Sequence, residues 1–193
     1  MKSRIYAVVF GISLFLLSAA GYTQSDTSAS TPVKTITSLD VPRYLGTWYE
    51  IAKFPNWFQK KCVSNTQAVY SLRPDGNLKV LNSCKTADGD LSQAEGFARQ
   101  IGAKDSAKLE VRFAPVWLAF LPLVWGDYWV IDLDPQYQVA AVSDPKREYL
   151  WILSRTPQMD KKTYEELLSR LQIQQFDIRK LELTQQQSQS QKN

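Results

Sequence analysis

The chain is built mainly from short segments in which apolar and polar residues alternate, and turn sequences separate them. The clearest segment runs from Lys108 to Phe113, where Leu109, Val111 and Phe113 face one way and charged residues face the other. Alternation with a period of two indicates a β-strand with one buried and one wet face. The pattern predicts eight strands, at residues 43–54, 66–72, 78–83, 91–101, 108–113, 127–133, 138–143 and 149–154.

Tight turns join these strands. Arg73-Pro74-Asp75-Gly76 has the composition of a hairpin turn, and Asp-Pro pairs end the sixth and seventh strands. Strands that follow one another through short hairpins favour an all-β protein, an eight-stranded up-and-down antiparallel β-barrel. A barrel of this size holds one small ligand. Gly96, inside the fourth strand, predicts a bend or a bulge.

The period changes after the eighth strand. Asp160 is a candidate N-cap, and residues 161–171 place one apolar stripe along a helix through Tyr164, Leu167, Leu168 and Leu171. The stripe predicts one C-terminal α-helix packed on the outside of the barrel. A short final strand is predicted at residues 178–183.

The two ends of the chain are predicted to lie outside the barrel domain, which spans residues 39–184. Residues 1–20 are typical of a signal peptide, with Lys2 and Arg4 before an apolar stretch that ends in small residues. A retained membrane anchor is the alternative. Residues 21–38 are predicted to be a flexible leader, and residues 185–193 a disordered tail.

Two cysteines remain after the predicted signal, Cys62 and Cys84. In an exported chain such a pair favours a disulfide, which would stabilise the fold by about 3 kcal/mol in the chain-entropy model. Two free buried thiols are the alternative. The chain has no histidine, and we predict no metal site and no cofactor.

Three short motifs resemble those of the lipocalin family. Gly46-x-Trp48 matches the first, Gly126-Asp127-Tyr128 with Asp132 resembles the second, and Arg155 matches the third. The resemblance covers residues 38–184. Within the family, residues 48–52 and 149–157 are most similar to the bacterial outer-membrane type (Blc) and the apolipoprotein D type.

The resemblance implies a protein that stores or transports a small hydrophobic ligand, a fatty acid or a lysophospholipid, in the bacterial cell envelope for membrane maintenance. It makes Gly46, Trp48, Asp127 and Arg155 structural signature residues, with the arginine lying across the tryptophan ring at the closed end of the barrel. Such a contact contributes about 0.5–2 kcal/mol. The alternative role for Arg155 is to bind a ligand carboxylate.

The bacterial type is usually anchored through a cysteine at the end of its signal, where this chain has alanine and glycine. We therefore expect an exported protein in the periplasm, associated with the outer membrane, or secreted.

Strand alternation also predicts which residues line the barrel. The candidates for the ligand-binding interior are Tyr70, Val80, Asn82, Leu109, Val111, Phe113, Tyr128, Val130 and Trp151. Asp132 shares the inward parity of Tyr128 and Val130. An aromatic and aliphatic lining suits one apolar ligand. Ordinary core packing is the alternative, and a bulge would invert a strand.

Two loops, residues 54–61 and 115–125, are predicted at the open end of the barrel, opposite Trp48. They bring five aromatic residues to this mouth: Trp57, Phe58, Trp117, Phe120 and Trp125. The second loop is too apolar for a routine solvated loop. It folds inward as a lid, inserts into a lipid surface or a partner, or packs generically against the rest of the protein. Lys60 and Lys61 would favour anionic head groups.

The sequence predicts a binding protein and not an enzyme. Without histidine, Ser-His-Asp and Cys-His mechanisms are excluded, and no phosphate-binding glycine loop is present. The net charge is +4, part of which lies in the predicted signal, so nucleic acid is not an expected partner. The expected partners are the ligand and peripheral contact with a membrane. A protein partner or a second copy of the chain at the mouth is the alternative.

Overall fold

The computed structural model describes residues 31–187, in which eight antiparallel strands form a closed barrel. Each strand pairs with the next one, and β8 pairs with β1. In chain order the strands are β1 Gly46–Lys53, β2 Ser64–Leu72, β3 Leu78–Lys85, β4 Leu91–Gln100, β5 Lys108–Arg112, β6 Gly126–Leu133, β7 Val139–Ser143 and β8 Leu150–Ser154. The predicted eight-stranded up-and-down barrel is confirmed. The predicted signal at 1–20, residues 21–30 of the leader and residues 188–193 of the tail lie outside the described residues.

A single helical turn, α1 (Val41–Tyr44), precedes β1, so the first strand begins later than the predicted residue 43. Asp40 caps α1 by accepting a hydrogen bond from the backbone N–H of Arg43, and Pro42 lies in the first turn. Proline is tolerated there because first-turn N–H groups have no helical partner. Tyr44 at the end of α1 is buried. The turn therefore covers the end of the barrel from which β1 starts.

The C-terminal helix, α2, spans Lys161–Ile173 and is capped by Asp160, which accepts from the N–H of Thr163. Its buried Leu167 and Leu171 pack in a cluster formed with outward-facing residues of the barrel wall. The predicted external helix is therefore confirmed. Among the helices of residues 31–187, none is both long enough and apolar enough to cross a membrane.

The final strand, β9 (Glu182–Leu183), is shorter than the predicted residues 178–183, because Ile178–Lys180 forms a 3-10 turn. β9 pairs with Ala52 and Lys53 of β1. It lies on the edge of β1 that β2 leaves free, since β1 and β2 pair only over residues 46–49 and 67–70. The C-terminal segment thus fills the gap where these two strands diverge.

Both predicted domain boundaries leave out residues that pack against the barrel. Val33 is buried, and the N–H of Ile36 donates to the carbonyl of Val130. At the other end, Gln185 forms a parallel bridge with Ser64. The packed domain therefore extends beyond residues 39–184 in both directions.

The predicted inward orientation of Asp132 is wrong. The register of β6 against β7 shifts between Val130 and Asp132, and an extra residue in a strand inverts the alternation beyond it. The Asp132 carboxylate lies outside and pairs with Arg170 of α2, with 2.7 Å between Oδ2 and Nε.

Gly96, in contrast, does not mark a bulge, because β3 and β4 keep a regular register across it. A Cβ atom at this position would lie 2.7 Å from ring atoms of Phe113 and 2.8 Å from the Arg112 carbonyl oxygen. Glycine is therefore required for the close approach of a neighbouring strand. Phe113 lies just after the end of β5, and its ring covers the inner face of β4.

Candidate functional site

Trp48 and Arg155 meet at the closed end of the barrel. Trp48 is fully buried, and the Arg155 guanidinium carbon lies 3.9 Å from the centroid of its ring. The guanidinium donates to the carbonyls of Tyr137, Thr47 and Arg43 at 3.1, 2.9 and 2.8 Å. Because all three nitrogens already have acceptors, this geometry favours a structural role over binding of a ligand carboxylate.

The other two signature residues differ in position. Gly46 is at the closed end and has a φ of +93°, which favours glycine. A Cβ atom at this position would also lie only 3.3 Å from Arg155 Nη1. Asp127 is exposed at the start of β6, at the opposite end of the barrel. It pairs in register with Glu110, and it is not brought together with Trp48.

Three tyrosines form a polar cluster above Trp48. The hydroxyl of Tyr128 lies 2.9 Å from the hydroxyls of both Tyr44 and Tyr70. Burial raises the pKa of Tyr44, raises that of Tyr70 to about 12, and raises that of Tyr128 well above its usual value. All three hydroxyls are therefore neutral at physiological pH. Tyr44 was missed from the sequence because it was assigned to the first strand.

Inward-facing side chains are buried in the lower half of the barrel and partly exposed to solvent in the upper half. Four of the predicted lining residues are buried in the inner core: Tyr70, Val80, Leu109 and Val130. The others face inward by register but keep solvent exposure: Asn82, Val111, Phe113, Tyr128 and Trp151. An inward side chain can contact solvent only where the interior is unfilled. The part of the interior that these partly exposed, inward-facing residues share is here called the cup.

Two alanines that were not predicted also belong to the cup. Ala68 pairs in register with Trp48 and Asn82, and Ala94 pairs with Asn82, so both face inward. Ala68 is half-buried and Ala94 is exposed. Their small side chains widen the interior. Their inward orientation follows from strand alternation alone, which makes no distinction between small and large side chains.

A hydrogen-bond network joins the mouth loop to the wall of the barrel. Gln59 donates to Glu50 Oε2 at 2.7 Å and accepts from Trp151 Nε1 at 3.0 Å. Thr184 donates to the other oxygen, Oε1, at 2.5 Å. Glu50 is only 3% exposed, and burial raises its pKa, an effect opposed by Thr184, Gln59 and the charge of Lys53.

Replacing Glu50 with glutamine is expected to remove a pH-dependent loss of stability. Because folding raises the pKa of Glu50, the folded state holds its proton at a pH where the unfolded chain has lost it. Wild-type stability therefore declines as the pH rises from the unfolded pKa through the folded one, by at most about 1.4 kcal/mol per pH unit. Both proteins are unfolded with urea between pH 4 and 8. The free energy of unfolding of E50Q should increase relative to that of the wild type as the pH rises. A constant difference across this range would contradict the assignment.

Aromatic residues of the first mouth loop pack against β8. The Phe58 ring centroid lies 5.6 Å from that of Tyr149 and 6.2 Å from that of Trp151. Trp57 packs edge-on against Phe58 at 5.5 Å and is exposed. The disulfide between Cys62 and Cys84 holds this loop to β3. The predicted pairing of the two cysteines is confirmed.

The second mouth loop packs against the outer wall and does not fold inward as a lid. Trp125 lies against Arg99, whose guanidinium carbon is 4.1 Å from the ring centroid. Arg99 faces outward, since it pairs in register with Glu110. Two 3-10 turns, Val116–Leu118 and Pro122–Val124, shape the loop. Its tip exposes Val116, Trp117, Phe120 and Leu123 by 69 to 95%.

A separate cavity of about 760 Å³ lies outside the barrel, between α2 and the lower ends of β6 and β7. Carboxylates, amides and hydroxyls supply much of its lining, among them Asp134, Gln138, Thr163 and Glu166. The rest of the lining is apolar and includes Ile131, Leu133 and Met159, so this cavity is less uniformly apolar than the upper barrel interior. The cup is therefore the better candidate for the functional site.

Comparison with known proteins gives a consistent result. A model of the lipocalin-like domain matches residues 39–186. The chain is 46% identical to temperature-induced lipocalin-1 of Arabidopsis thaliana, over 79% of this chain and 82% of that protein. It is 42% identical to the outer membrane lipoprotein Blc of Escherichia coli K12, over 79% and 84%. It is 37% identical to apolipoprotein D of Rattus norvegicus, over 75% of each chain.

A solved structure supports the same fold. Insecticyanin from the tobacco hornworm Manduca sexta aligns with a TM-score of 0.64 at 20% identity, over 83% of this chain and 87% of the other.

Proposed function

The chain belongs to the lipocalin family, and from this membership we propose that it binds one elongated apolar ligand, a fatty acid or a lysophospholipid, in the cup. The observation that carries the proposal is that inward-facing side chains of the upper barrel are apolar or aromatic and still exposed to solvent. Val111, Phe113 and Trp151 are examples. A water-exposed apolar concavity is the usual form of a site for a small hydrophobic molecule. The closed end makes it a cup and not a channel.

We propose that the acyl chain enters the cup and that the head group stays near the mouth. The depth available is bounded below by the buried residues around the three tyrosines. Above them the lining is mainly apolar, with Asn82 as a polar exception, and Glu50 lies deeper than Trp151 because it pairs in register with the buried Leu153. The apolar side chains would contact the long chain of such a ligand, and its single polar end would stay in reach of solvent at the mouth. The role is binding and transport, without catalysis.

The proposed place of action is the bacterial cell envelope, in the periplasm, at the outer membrane or in a secreted form, where the protein would serve membrane maintenance. The Cys62–Cys84 disulfide suits an oxidising compartment. The names of two relatives, an outer membrane lipoprotein and an apolipoprotein, agree with contact with lipids.

Titration with a fluorescent fatty acid tests the proposal. The purified protein should enhance the fluorescence with a stoichiometry of one probe per chain, and oleate and lysophosphatidylcholine should both displace the probe. Free glycerophosphocholine, which carries the head group without a chain, is the control and should not displace it. Absence of uptake at micromolar protein concentration would contradict a lipid-binding cup.

Peripheral contact with a membrane is a second proposed activity, and the exposed apolar tip of residues 115–125 favours it. Soluble proteins seldom expose a contiguous group of large apolar side chains unless these bind something. Tryptophan and phenylalanine are suited to the interface between lipid head groups and acyl chains. A protein partner or a second copy of the chain on this tip is the competing interpretation, which a change in molecular mass would reveal.

The double variant Trp117→Ser/Phe120→Ser should slow the transfer of lipid from vesicles to the protein by about tenfold or more, because two aromatic anchors are lost. Both side chains are exposed, so the unfolding free energy should change by less than about 0.5 kcal/mol. Transfer is measured with vesicles that contain a fluorescent fatty acid. The matched control is Ile173→Ser/Leu183→Ser, which removes two exposed apolar residues elsewhere. Equal transfer by both double variants would contradict the proposed contact.

A further inference from the structure

We infer that Arg112, together with Arg73 and Arg99, forms a site for the phosphate of a membrane phospholipid head group. The site lies on the outer wall of the barrel, beside the loop at residues 115–125. It rests on the membrane contact proposed above and does not depend on ligand binding in the cup.

Arg112 is a buried cation without a countercharge. It pairs in register with Phe97 and faces outward, where the sequence predicts a wet surface, yet it is only 4% exposed. None of the ion pairs among residues 31–187 includes it. A charge withdrawn from water is strongly unfavourable unless it is paired and hydrogen-bonded. Its burial therefore needs an explanation.

The protein supplies only part of what this guanidinium requires. Its carbon lies 5.2 Å from the ring centroids of both Phe97 and Trp125, and Nη1 donates to the carbonyl of Ala114. The Nε atom is buried and has no acceptor among the described residues. Aromatic faces stabilise a cation but have no lone pairs with which to accept an N–H as a carbonyl or carboxylate oxygen does. An anion bound beside Arg112 would supply both the missing charge and the missing acceptor.

A cavity of about 250 Å³ is present at this point. Its lining includes the three arginines and one carboxylate, Asp75. Arg73 pairs with Asp75, with 3.1 Å between Nε and Oδ2, and Arg99 pairs with Glu110, with 2.8 Å between Nη2 and Oε2. Both pairs are partly exposed, and they leave Arg112 as the excess positive charge. Planar guanidinium groups bind phosphate oxygens through two parallel hydrogen bonds.

The surroundings of the cavity favour a lipid phosphate over a free one. Val116 and Ala119 of the apolar loop form part of the cavity wall, and the exposed Trp117 and Phe120 neighbour them in the chain. An apolar group that enters a bilayer comes to lie just below the plane of the head-group phosphates. Cationic side chains next to such a group are attracted to anionic lipid surfaces. The arginines and the loop tip therefore suit the same lipid surface.

Co-sedimentation with vesicles tests this inference. The wild type should bind vesicles of phosphatidylcholine and phosphatidylglycerol more tightly than vesicles of phosphatidylcholine alone. Arg112→Met, which keeps an apolar stem, should lose at least tenfold in affinity for the anionic vesicles, whereas Arg112→Lys should retain part of it. Arg179→Met removes the same charge from an exposed residue outside this cavity and should bind as the wild type does.

Each outcome discriminates between the interpretations. If Arg112→Met and Arg179→Met bind the anionic vesicles equally well, the inference is overturned. If wild type binds no vesicles, the proposed membrane contact fails and this site fails with it. If inorganic phosphate raises the melting temperature of the wild type but not of Arg112→Met, and vesicle binding is equal, the site takes a free anion and the lipid assignment is overturned.

A second variant tests the site independently, in case Arg112→Met does not fold. Arg73→Met alters an arginine whose side chain is partly exposed and leaves Arg112 in place. It should also weaken binding to anionic vesicles, by about threefold to tenfold, and unchanged binding would count against the site. Uptake of a fluorescent fatty acid by each variant reports whether the cup, and therefore the fold, is intact.

Discussion

Replacing Trp48 with alanine is expected to destabilise the barrel by about 3–5 kcal/mol, as is typical when a large buried aromatic side chain is removed. Trp48 is fully buried at the closed end, and its Nε1 donates to the Tyr44 carbonyl at 2.8 Å. Its ring also lies 4.8 Å from that of Tyr44 and under the guanidinium of Arg155. Alanine would leave a cavity, an unpaired carbonyl and a cation without its aromatic partner.

Urea unfolding followed by circular dichroism measures this effect. Trp117→Ala is the matched control, because that tryptophan is 69% exposed and its loss should cost less than about 0.5 kcal/mol. A loss below 1 kcal/mol in Trp48→Ala would contradict the assignment of this residue as the structural centre of the closed end.

Filling the cup with one large side chain is expected to weaken lipid binding by at least about tenfold, the effect of 1.4 kcal/mol. Ala94→Trp places an indole at an inward-facing position that is still exposed to solvent. The new ring would occupy volume that the acyl chain needs. The fold should survive, because the position is not part of the packed inner core.

The neighbouring residue supplies the control for this variant. Gln93 lies one position earlier in β4, is exposed and faces outward, because side chains alternate along a strand. Gln93→Trp adds the same side chain at the same height outside the barrel and should bind the fluorescent fatty acid as the wild type does. If both variants bind equally well, the ligand does not occupy the cup.

The architecture could be predicted from the sequence because it depends on local signals. The alternation in residues 108–112 and the hairpin composition of residues 73–76 define strands and turns without reference to distant parts of the chain. Asp160 and the apolar stripe that follows it likewise define α2. The pairing of Cys62 with Cys84 follows from their number and from the expected compartment.

The errors arise where distant contacts decide the outcome. Asp132 faces outward because of a register shift against β7, which is invisible in the local pattern of β6. Arg112 looks like a solvated strand residue, but the loop that contains Trp125 covers it. The role of Glu50 depends on Thr184, more than a hundred residues away. No local periodicity encodes such contacts.

The candidate site was predictable only in part, for a related reason. Strand alternation identifies Tyr70 and Val111 equally well as inward-facing residues. It does not indicate whether an inward side chain is buried or exposed to solvent at its height in the barrel. That difference depends on the volumes of side chains from all eight strands at one height. Tyr44 enters the interior from α1, and Ala68 and Ala94 occupy less of the interior than larger side chains would.

Native mass spectrometry of the protein purified gently from the envelope fraction of its host, followed by lipid extraction, tests the central claim most directly. A lipid-carrying cup predicts a species heavier than the bare chain by one fatty acid or one lysophospholipid, with the same lipid recovered in the extract at a ratio of one per chain. A bare monomer that also fails to take up added fluorescent fatty acid would contradict the claim and would favour a protein-binding role for the mouth.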